Sequence, residues 1–592
     1  MIQERLQNLR AKMQENGVQA YIIPTSDFHE TEYVSDYFAC RKYMSGFTGS
    51  AGTLVVLTDQ AGLWTDGRYF IQAQAQLQDT GITLMKMGQP ETPSIEDYIC
   101  QNLSKGSKVG FDGRVINYMD YKRYHAIFNS HQIDIVANLD LVNEIWQDRP
   151  ALPATKTFHY ALRYAGVSME DKLAQVRQAM TREGCASFII TKIDEIAWLF
   201  NIRAHDIPHF PVALAYATIE KEKATLYIDA SRLDDESKAL FEQSQISVKP
   251  YDSIYEDVCS LQGPVLVDPH FVNSRLALLV QEKLVEAVDP IVLMKAQKNV
   301  TEIENTKWAH IKDGVACTKF MYWLKKNVKS QEITECSAQD QLQQYRKEQE
   351  NYLEDSFNTI CAYKEHAAMM HYSSTPETDV TLKPEGMLLV DSGGQYLEGT
   401  TDITRTFVLG EISEEEKHWF TLAMRSHIRL AKAHFLYGCR GLNLDILARG
   451  PLWDEDMDYQ CGTGHGVGHL SNVHEAPNGF RWRIVPERND SCVLEEGMIQ
   501  SDEPGVYKEG EFGIRHENEL LVVKGTKNFY GQFMHFEPLT FVPFDLDGID
   551  RSKMTQDEIE WLNAYHAQVY DTLQLYLNDE EKDWLKNATR AL

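Results

Sequence analysis

The amino-acid sequence predicts an α/β protein of the α+β kind, with two related N-terminal domains followed by a different C-terminal domain. Two observations support this prediction. A segment at residues 5–27 recurs without gaps at residues 172–194, so one helix–strand unit occurs twice. After a long helical pattern that starts near residue 301, the sequence becomes strand-like, with glycine turns and many His, Asp and Glu residues. At 592 residues the chain is also too long for a single hydrophobic core.

The repeat is predicted to be an amphipathic helix followed by a buried strand. Apolar residues recur at helical spacing in both copies, and the matching positions are Leu6 with Leu173, Leu9 with Val176 and Met13 with Met180. A glycine ends each predicted helix, at Gly17 and Gly184, and a short apolar run follows. Because helix, glycine, strand and a following acidic residue keep register, we interpret the two copies as related and not as two unrelated helices.

Turn and helix signals set the predicted domain boundaries. The segment QDRPALPATK (147–156) contains two prolines and separates the repeats. A Thr-x-x-Glu capping box at residues 301–304 predicts the start of a helix that runs to about Lys326. We therefore predict domains at 1–152, 153–298 and 299–592, and helical structure at 553–592.

Charge and cysteine usage exclude several classes of partner. The formal charge is 58 − 87 = −29, which disfavours nucleic acid and anionic membranes. The N-terminus does not resemble a secretory signal, and no apolar run approaches the ~18 residues of a membrane-spanning helix. The ten cysteines are scattered without a CxxC pair. We expect a cytoplasmic protein with reduced thiols that binds neither nucleic acid nor membranes.

Two segments of the third domain are predicted to form hairpins that each bring two acids together. In MLLVDSGGQYLEGTTDITRTFVL (387–409), a strand ends in Asp391 and the next strand carries Asp402. In MIQSDEPGVYKEGEFGIRHENELLVV (498–523), a strand ends in Glu503 and the next carries Glu517. The two-residue period of a continuous strand would put Arg515, Glu517 and Glu519 on one face.

Four converging carboxylates require a cation, because acids a few Å apart do not all stay ionised in a low-dielectric site. The segment GTGHGVGHLSNVHEAP (462–477) adds three histidines set among glycines. Four carboxylates and one imidazole can hold two divalent ions about 3.5–4 Å apart. Oxygen-rich ligation of this kind favours Mn²⁺, Co²⁺ or Fe²⁺, with Zn²⁺ as an alternative. The competing interpretation of each single acid is a turn or cap residue.

The segments DSGGQYLEGTTDITRT, GTGHGVGHLSNVHEAP and SDEPGVYKEGEFGIRHEN resemble the signature blocks of the pita-bread metallopeptidases. The resemblance extends over nearly the whole chain to the long, three-domain Xaa-Pro aminopeptidases. It includes FTGSAGTLVVLTDQAGLWTDGRYF (47–70), LVNEIWQDRP (141–150), DEIAWLFNIR (194–203) and EIEWLNAYH (558–566). This resemblance implies two creatinase-like domains followed by a pita-bread catalytic domain.

The resemblance also implies a dinuclear metal centre and its ligands. Mn²⁺ is the typical ion, with Zn²⁺ or Co²⁺ as alternatives. Asp402 and Glu517 would bridge the two ions, Asp391 would complete the ligation of one ion, and His465 and Glu503 that of the other. His465 is therefore the expected ligand among the three histidines of its segment.

Further roles carry over from the family to single positions. Glu503 matches the carboxylate that acts as general base for the metal-bridging water, which as a metal-bound hydroxide would attack the carbonyl. His371 matches a histidine that shuttles protons or steadies the tetrahedral intermediate, and His474 one that contacts the scissile carbonyl. Arg515 and Tyr507 match residues that support the substrate site from close by.

Three single positions and one loop depart from the family pattern. Cys461 stands where a histidine is frequent, and the loop Tyr363–Ala368 replaces a Gly-x-Asn-Gly-Ala loop. His469 and Glu519 stand where small or apolar residues are frequent. None of these changes removes a predicted ligand. We expect His469 to lie on the surface or behind the metal site, with no essential role.

The sequence predicts a metal-dependent aminopeptidase that removes the first residue of peptides with proline at the second position. One alternative is a prolidase, which acts on Xaa-Pro dipeptides alone. Another is a non-catalytic pita-bread module that binds peptides. The resemblance further implies a homodimer formed through the third domain. The C-terminal helices at 553–592 either contribute to that dimer or simply cap their own domain.

Overall fold

The computed structural model describes residues 2–485 and 490–592. These residues form two compact units. The first comprises Met1–Tyr160, Ser168–Pro208 and Val212–Ile291, and the second comprises Ala161–Val167, His209–Pro211 and Val292–Leu592. Both sequence repeats lie in the first unit, and the boundaries at residues 152 and 298 stay a prediction.

The first repeat contains six helices and six strands. They are α1 (Ile2–Glu15), α2 (Cys40–Ser45), α3 (Phe70–Gln76), α4 (Ile95–Asn102), α5 (Tyr118–Ser130) and α6 (Leu141–Ile145), with β1 (Ala20–Pro24), β2 (Thr53–Leu57), β3 (Ala61–Thr65), β4 (Thr83–Lys86), β5 (Lys108–Gly110) and β6 (Asp134–Val136).

The next segment contains the second repeat, except that the short helix α7 and most of α13 belong to the second unit. Its elements are α7 (Leu162–Ala165), α8 (Met169–Arg182), α9 (Ile193–Phe200), α10 (Asp235–Gln243), α11 (Ile254–Asp257), α12 (Ser274–Leu279) and α13 (Pro290–Ala296), with β7 (Phe158–His159), β8 (Ser187–Ile190), β9 (Ile202–Arg203), β10 (Tyr216–Glu220), β11 (Ala224–Tyr227), β12 (Ile246–Lys249), β13 (Val265–Val267) and β14 (Leu284–Glu286).

The remaining elements form most of the second unit. They are α14 (Val300–Asn327), α15 (Glu335–Lys347), α16 (Glu414–Ala431), α17 (Gly441–Trp453), α18 (Gln556–Leu573) and α19 (Asp579–Ala588), with β15 (Tyr352–Asp355), β16 (Ile360–Tyr363), β17 (Met387–Ser392), β18 (Gly394–Tyr396), β19 (Gly399–Thr400), β20 (Ile403–Val408), β21 (His434–Leu436), β22 (Gly464–Gly466), β23 (Glu475–Phe480), β24 (Ile499–Asp502), β25 (Gly505–Lys508), β26 (Phe512–Arg515), β27 (Asn518–Asn528) and β28 (Gly531–Pro538).

The sequence repeat is confirmed as a structural repeat. The two six-stranded sheets have the orders β4-β3-β2-β1-β5-β6 and β12-β11-β10-β8-β13-β14. The strand after each predicted helix, β1 or β8, lies inside its sheet, antiparallel to one neighbour and parallel to the other. Gly17 and Gly184 follow the two helices with φ values of +66° and +69°, a region in which glycine has no steric penalty.

The two repeats meet in a nearly symmetric contact. The amide of Tyr118 donates to the carbonyl of Val272, and the amide of Ser274 donates to the carbonyl of Ile116. The residues between these donors and acceptors, Asn117 and Asn273, pair with each other and cap α5 and α12, respectively. Each repeat thus presents the same structural position to the other.

The long helix α14 is confirmed, but its predicted capping box is wrong. The N-cap is Asn299, whose side chain accepts from the amide of Glu302, while the Glu302 carboxylate accepts from the amide of Asn299. Asn is among the strongest N-cap residues, so it starts the helix two positions before Thr301. The helix ends at Asn327, one residue beyond the prediction.

Helical structure at 553–592 is also confirmed. The apolar face of α18, which includes Leu562, Val569 and Leu573, is buried in a core cluster with Phe420 of α16. The C-terminal helices therefore cap their own unit. None of the helices formed by residues 2–485 and 490–592 has the length and apolar character that a membrane crossing requires.

Candidate metal centre

The first predicted hairpin places Asp391 and Asp402 at neighbouring strand ends. Strands β17 and β20 are antiparallel, with Asp391 opposite Thr404. Asp402 directly precedes β20, one residue outside the strand that was predicted to carry it. Both carboxylates are buried, with relative exposures of 8% and 5%. The short strands β18 and β19 form the excursion between them.

The second predicted hairpin is wrong in its connections, although its acids still converge. Strand β24 ends at Asp502 and pairs with β27, while β25 and β26 form a separate hairpin between them. Glu503 follows β24 and Glu517 precedes β27, so both acids lie at one end of this pair. The predicted continuous strand from Ile514 to Leu520 is broken at residues 516 and 517. Pro504, which has no amide N–H, helps to end the ladder after β24.

Ligand atoms of three predicted residues converge. One atom each of Asp402, His465 and Glu517 lies within 4.8 Å of the others. His465 Nε2 is 3.4 Å from Asp402 Oδ2 and 3.4 Å from Glu503 Oε1. His465 Nδ1 lies 2.9 Å from the carbonyl oxygen of Gly466, which can only accept. The ring therefore holds its proton on Nδ1 and directs Nε2 at the carboxylates, the arrangement of a metal-binding histidine.

The electrostatics of this cluster fit a bound cation. Burial, followed by repulsion from neighbouring carboxylates, raises the pKa values of Asp402 and Glu517 well above the ordinary range. Burial likewise raises the pKa of Glu503. Among the residues that the structure describes, the buried oxygens Asp391 Oδ1 and Glu517 Oε1 have no hydrogen-bond partner. Because such atoms are costly when unpaired, the donor set fits divalent metal ions.

Arg515 connects two of these carboxylates to Tyr507. Its Nη2 lies 2.5 Å from Asp391 Oδ2, and its Nη1 donates to the Tyr507 hydroxyl over 2.6 Å. Thr404 Oγ1 accepts from Arg515 Nε and donates to Glu517 Oε2 over 2.7 Å. These bonds fix the orientation of Asp391 and Glu517, which supports the predicted position of Arg515 beside the site.

The two predicted substrate histidines lie in different surroundings. The His474 ring is 4.4 Å from the His465 ring, centroid to centroid, at an interplanar angle of 86°. It therefore lies beside the carboxylate cluster. His371 is exposed in the segment between β16 and β17, and its neighbour Tyr372 packs in a cluster with Leu389 and Tyr507. This packing attaches the His371 segment to the sheet that carries Asp391.

The unusual loop before His371 is held by a residue that sequence reasoning missed. The Glu335 carboxylate, at the start of α15, accepts from the amide of Tyr363 over 2.7 Å. It also lies 3.0 Å from His366 Nδ1 and accepts from the Tyr372 hydroxyl over 2.9 Å. Glu335 is 0% exposed. The Tyr363–Ala368 loop is therefore anchored on both sides of residue 366.

The other departures from the family pattern are buried or half-buried. Cys461 is half-buried against a core cluster, and burial raises the pKa of its thiol to about 11. His469 is 5% exposed, so the expectation of a surface position is wrong. Its Nδ1 is 3.1 Å from Thr306 Oγ1, and its Nε2 donates to the carbonyl of Tyr164 over 3.2 Å. Both partners lie in the same unit, so His469 holds that unit together.

Two further charged residues lie behind the cluster. Glu519 Oε1 accepts from the backbone amide of Asp402 over 2.8 Å. Glu519 Oε2 is 3.0 Å from His310 Nε2 on α14. Glu519 was singled out in the sequence as a departure, whereas His310 was missed. The available signal was the spacing of polar residues at 306, 310 and 313 along one face of a long helix.

Family models match most of the chain. Residues 5–144 and residues 148–302 each match a Creatinase/Prolidase N-terminal domain. Residues 304–524 match metallopeptidase family M24, and residues 532–592 match the C-terminal region of peptidase M24. These matches confirm the predicted fold class of creatinase-like domains followed by a pita-bread domain.

Relatives that match the whole chain identify its family among the M24 metallopeptidases. Aminopeptidase P2 of Arabidopsis thaliana is 36% identical over 100% of this chain and 89% of the relative. Xaa-Pro aminopeptidase 1 of Dictyostelium discoideum is 36% identical over 100% of this chain and 97% of the relative. The X-prolyl aminopeptidase of Caenorhabditis elegans, described as a cytosolic enzyme with a di-nuclear active site, superposes with a TM-score of 0.95 at 31% identity, with 100% of both chains covered. The chain therefore belongs to the Xaa-Pro aminopeptidase family of the M24 metallopeptidases, and it is an enzyme of the aminopeptidase class.

Proposed function

We propose that this enzyme hydrolyses the N-terminal Xaa-Pro bond of peptides at a centre of two divalent metal ions. The observation that carries the proposal is the convergence of Asp402, His465 and Glu517, whose ligand atoms lie within 4.8 Å of one another. The unpaired buried oxygens of Asp391 and Glu517 give independent support. The di-nuclear site named for the C. elegans relative supports the same stoichiometry.

Five side chains would hold the ions: Asp391, Asp402, His465, Glu503 and Glu517. Oxygen-rich ligation with one imidazole makes Mn²⁺ the first choice, with Zn²⁺ and Co²⁺ as alternatives. When bound, two such ions lower the pKa of a shared water and polarise the substrate carbonyl. The His465 tautomer described above leaves Nε2 as the nitrogen that faces them.

The side chains themselves would move protons and position the peptide. Glu503 is the proposed general base, and its Oε1 lies 3.4 Å from His465 Nε2, beside the other proposed ligands. His474, next to His465, would donate to the oxygen of the scissile carbonyl as negative charge develops there. His371, in the segment before β17, would shuttle protons or stabilise the tetrahedral intermediate. Arg515 would keep Asp391 oriented.

The substrate class follows from the chemistry of proline. An Xaa-Pro bond is a tertiary amide without an N–H and with a fixed ring, so a peptidase that must bind the scissile N–H rejects it. Recognition through the carbonyl oxygen, by His474, has no such requirement. A prolidase would share this chemistry but act on dipeptides alone. The full-length match to Xaa-Pro aminopeptidases favours peptides of three or more residues.

The test is a metal-replacement assay with three substrates. Apo enzyme is supplied with Mn²⁺, Co²⁺ or Zn²⁺ in turn, and cleavage of Ala-Pro-Ala, Ala-Ala-Ala and the dipeptide Ala-Pro is measured. We expect metal-dependent release of alanine from Ala-Pro-Ala, with Mn²⁺ the most effective ion. Cleavage of Ala-Pro without cleavage of Ala-Pro-Ala would identify a prolidase. If no substrate were cleaved with any metal, the peptide-binding module would be the remaining interpretation.

We also propose a cytoplasmic location and a homodimer. The description of the C. elegans relative as cytosolic and the ten unpaired cysteines support the location. The family resemblance supports the dimer. Light scattering on the purified chain measures the mass directly, and a value near the 67.9 kDa of one chain would contradict the dimer.

A further inference from the structure

The long helix α14 presents a polar face to the segment that carries Asp402. Thr306, His310 and Asp313 are all buried and lie at positions i, i+4 and i+7 of the helix, which share one face. The Asp313 carboxylate accepts from the hydroxyl of Thr401, the residue directly before Asp402. It is itself held by Arg346, whose Nε and Nη2 donate over 2.7 and 3.1 Å. This helix thus contacts the segment that carries Asp402 directly, through Asp313 and Thr401.

Glu519 occupies the central position of this arrangement. It lies on β27 and is followed by the buried apolar residues Leu520, Leu521 and Val522, so it is the charged exception in this part of the strand. Its side chain is 0% exposed. One carboxylate oxygen accepts from the backbone amide of Asp402 over 2.8 Å, and the other lies 3.0 Å from His310 Nε2. Neither Glu519 nor His310 belongs to the proposed ligand set.

Burial of this extra carboxylate beside the proposed ligands is unfavourable for stability alone. A buried carboxylate loses its hydration, and its neighbours here are already negative. His310, also 0% exposed, places its Nε2 3.0 Å from the second Glu519 oxygen, on the side away from Asp402. The hydrogen bond to the Asp402 amide fixes the backbone of a proposed bridging ligand from behind, where a backbone N–H would otherwise be unpaired.

We propose that Glu519 and His310 form a positioning pair that fixes Asp402 and thereby strengthens metal binding. The inference rests on the proposed function, because it takes Asp402 as a metal ligand. Residues that orient metal ligands from behind typically change metal affinity by about 10–100-fold when they are removed. The pair acts on the ligand and not on the peptide. Its loss lowers the affinity for Mn²⁺ in the absence of any substrate.

The experiment measures Mn²⁺ affinity of the full chain by competition with a chelator, without substrate. We expect Glu519→Leu to weaken Mn²⁺ binding about 10-fold or more. Glu519→Gln keeps the side-chain oxygen that accepts from the Asp402 amide and nearly the same volume, so it is expected to fold and to lose less affinity. His310→Phe removes the partner, and the double variant with Glu519→Leu should bind Mn²⁺ no more weakly than Glu519→Leu alone.

The matched control is Asp206→Asn in the first unit. Asp206 is also a buried carboxylate paired with a cation, Arg232. We expect this variant to unfold at a lower temperature and to keep wild-type Mn²⁺ affinity, which separates a metal-site effect from a general loss of stability. Mn²⁺ affinity within twofold of wild type in both Glu519 variants would overturn the pair, as would fully additive losses in the double variant. Failure of the wild-type chain to bind Mn²⁺ would instead overturn the proposed function, and this inference with it.

Discussion

The two units each bury carboxyl groups close together, but they neutralise the charge in different ways. In the first unit, Glu195 and Asp289 are buried, and burial raises the pKa of both groups, with each carboxyl group affecting the other. A single proton shared by the pair is sufficient there. In the second unit, Asp402 and Glu517 converge with His465, and Asp391 Oδ1 and Glu517 Oε1 have no hydrogen-bond partner.

This difference indicates which of the two acidic clusters is able to bind a metal ion. When two carboxyl groups share one proton, only one negative charge remains, and the shared proton stabilises it. The cluster around Asp402 has more carboxylates than its protein partners can neutralise, and its histidine directs Nε2 toward them. Buried carboxyl groups and unpaired oxygens, which Glu195 also has, therefore do not by themselves indicate a metal site, whereas carboxylates that converge with an imidazole do.

The largest expected effect is the loss of activity in Asp402→Ala. Removal of a proposed bridging ligand should lower cleavage of Ala-Pro-Ala by more than ~10³-fold, because bound metal ions supply several kcal/mol of transition-state stabilisation. Assays at increasing Mn²⁺ concentration measure this loss. Wild-type turnover in this variant would show that the cluster resembles the Glu195 pair and needs no metal.

A smaller loss is expected for His474→Ala, because this residue would act on the substrate and not on the ions. Removal of one donor to a developing oxyanion costs about 10²–10³-fold in kcat. Mn²⁺ affinity should stay at the wild-type value, and chelator competition provides that control. A parallel loss of Mn²⁺ binding would assign His474 to the metal centre.

Metal binding is expected to stabilise the second unit. Mn²⁺ at 100 times its Kd should raise the free energy of unfolding by about 2.7 kcal/mol for each independent ion, since ions bind the folded centre. Thermal unfolding of apo and Mn²⁺-loaded protein measures this difference, with Asp402→Ala as the matched control. An equal shift in both proteins would place the stabilising ion elsewhere.

The carboxyl pair of the first unit predicts a dependence of stability on pH. Both folded-state pKa values are raised, so the folded protein binds more protons than the unfolded chain between the ordinary and the raised values. The stability contributed by the pair is thus present at low pH and is lost as pH rises through the raised values. Glu195→Gln, which cannot ionise, should flatten this decline in unfolding experiments between pH 5 and 9. An unchanged slope would contradict the shared proton.

The smallest expected effect belongs to His469→Ala. The ring makes two contacts within hydrogen-bond distance and is buried, so its removal should cost about 1–3 kcal/mol of stability. Turnover of the folded variant should remain close to wild type, because the ring contacts Thr306 and Tyr164 and not a proposed ligand. A large loss of kcat without a loss of stability would give His469 a role in catalysis.

Local patterns in the sequence predicted most of the fold and the ligand candidates. The repeat followed from amphipathic spacing and a glycine, and the convergence of Asp391 with Asp402 followed from a short hairpin. The separate β25–β26 hairpin could not be predicted from the alternation of apolar and polar residues, because a two-residue period does not reveal which strands pair. The contact between His310 and Glu519 joins residues far apart in sequence, and only the packing of α14 against β27 brings them together.

The symmetric contact at Asn117 and Asn273 joins two repeats of one chain, so their association does not weaken when the protein is diluted. Each half finds its counterpart on the same polypeptide, so the tether sets an effective concentration that does not depend on how much protein is present. Separate chains that paired through the same two backbone hydrogen bonds would dissociate when dilute. Duplication within one chain turns an association equilibrium into a permanent feature of the fold.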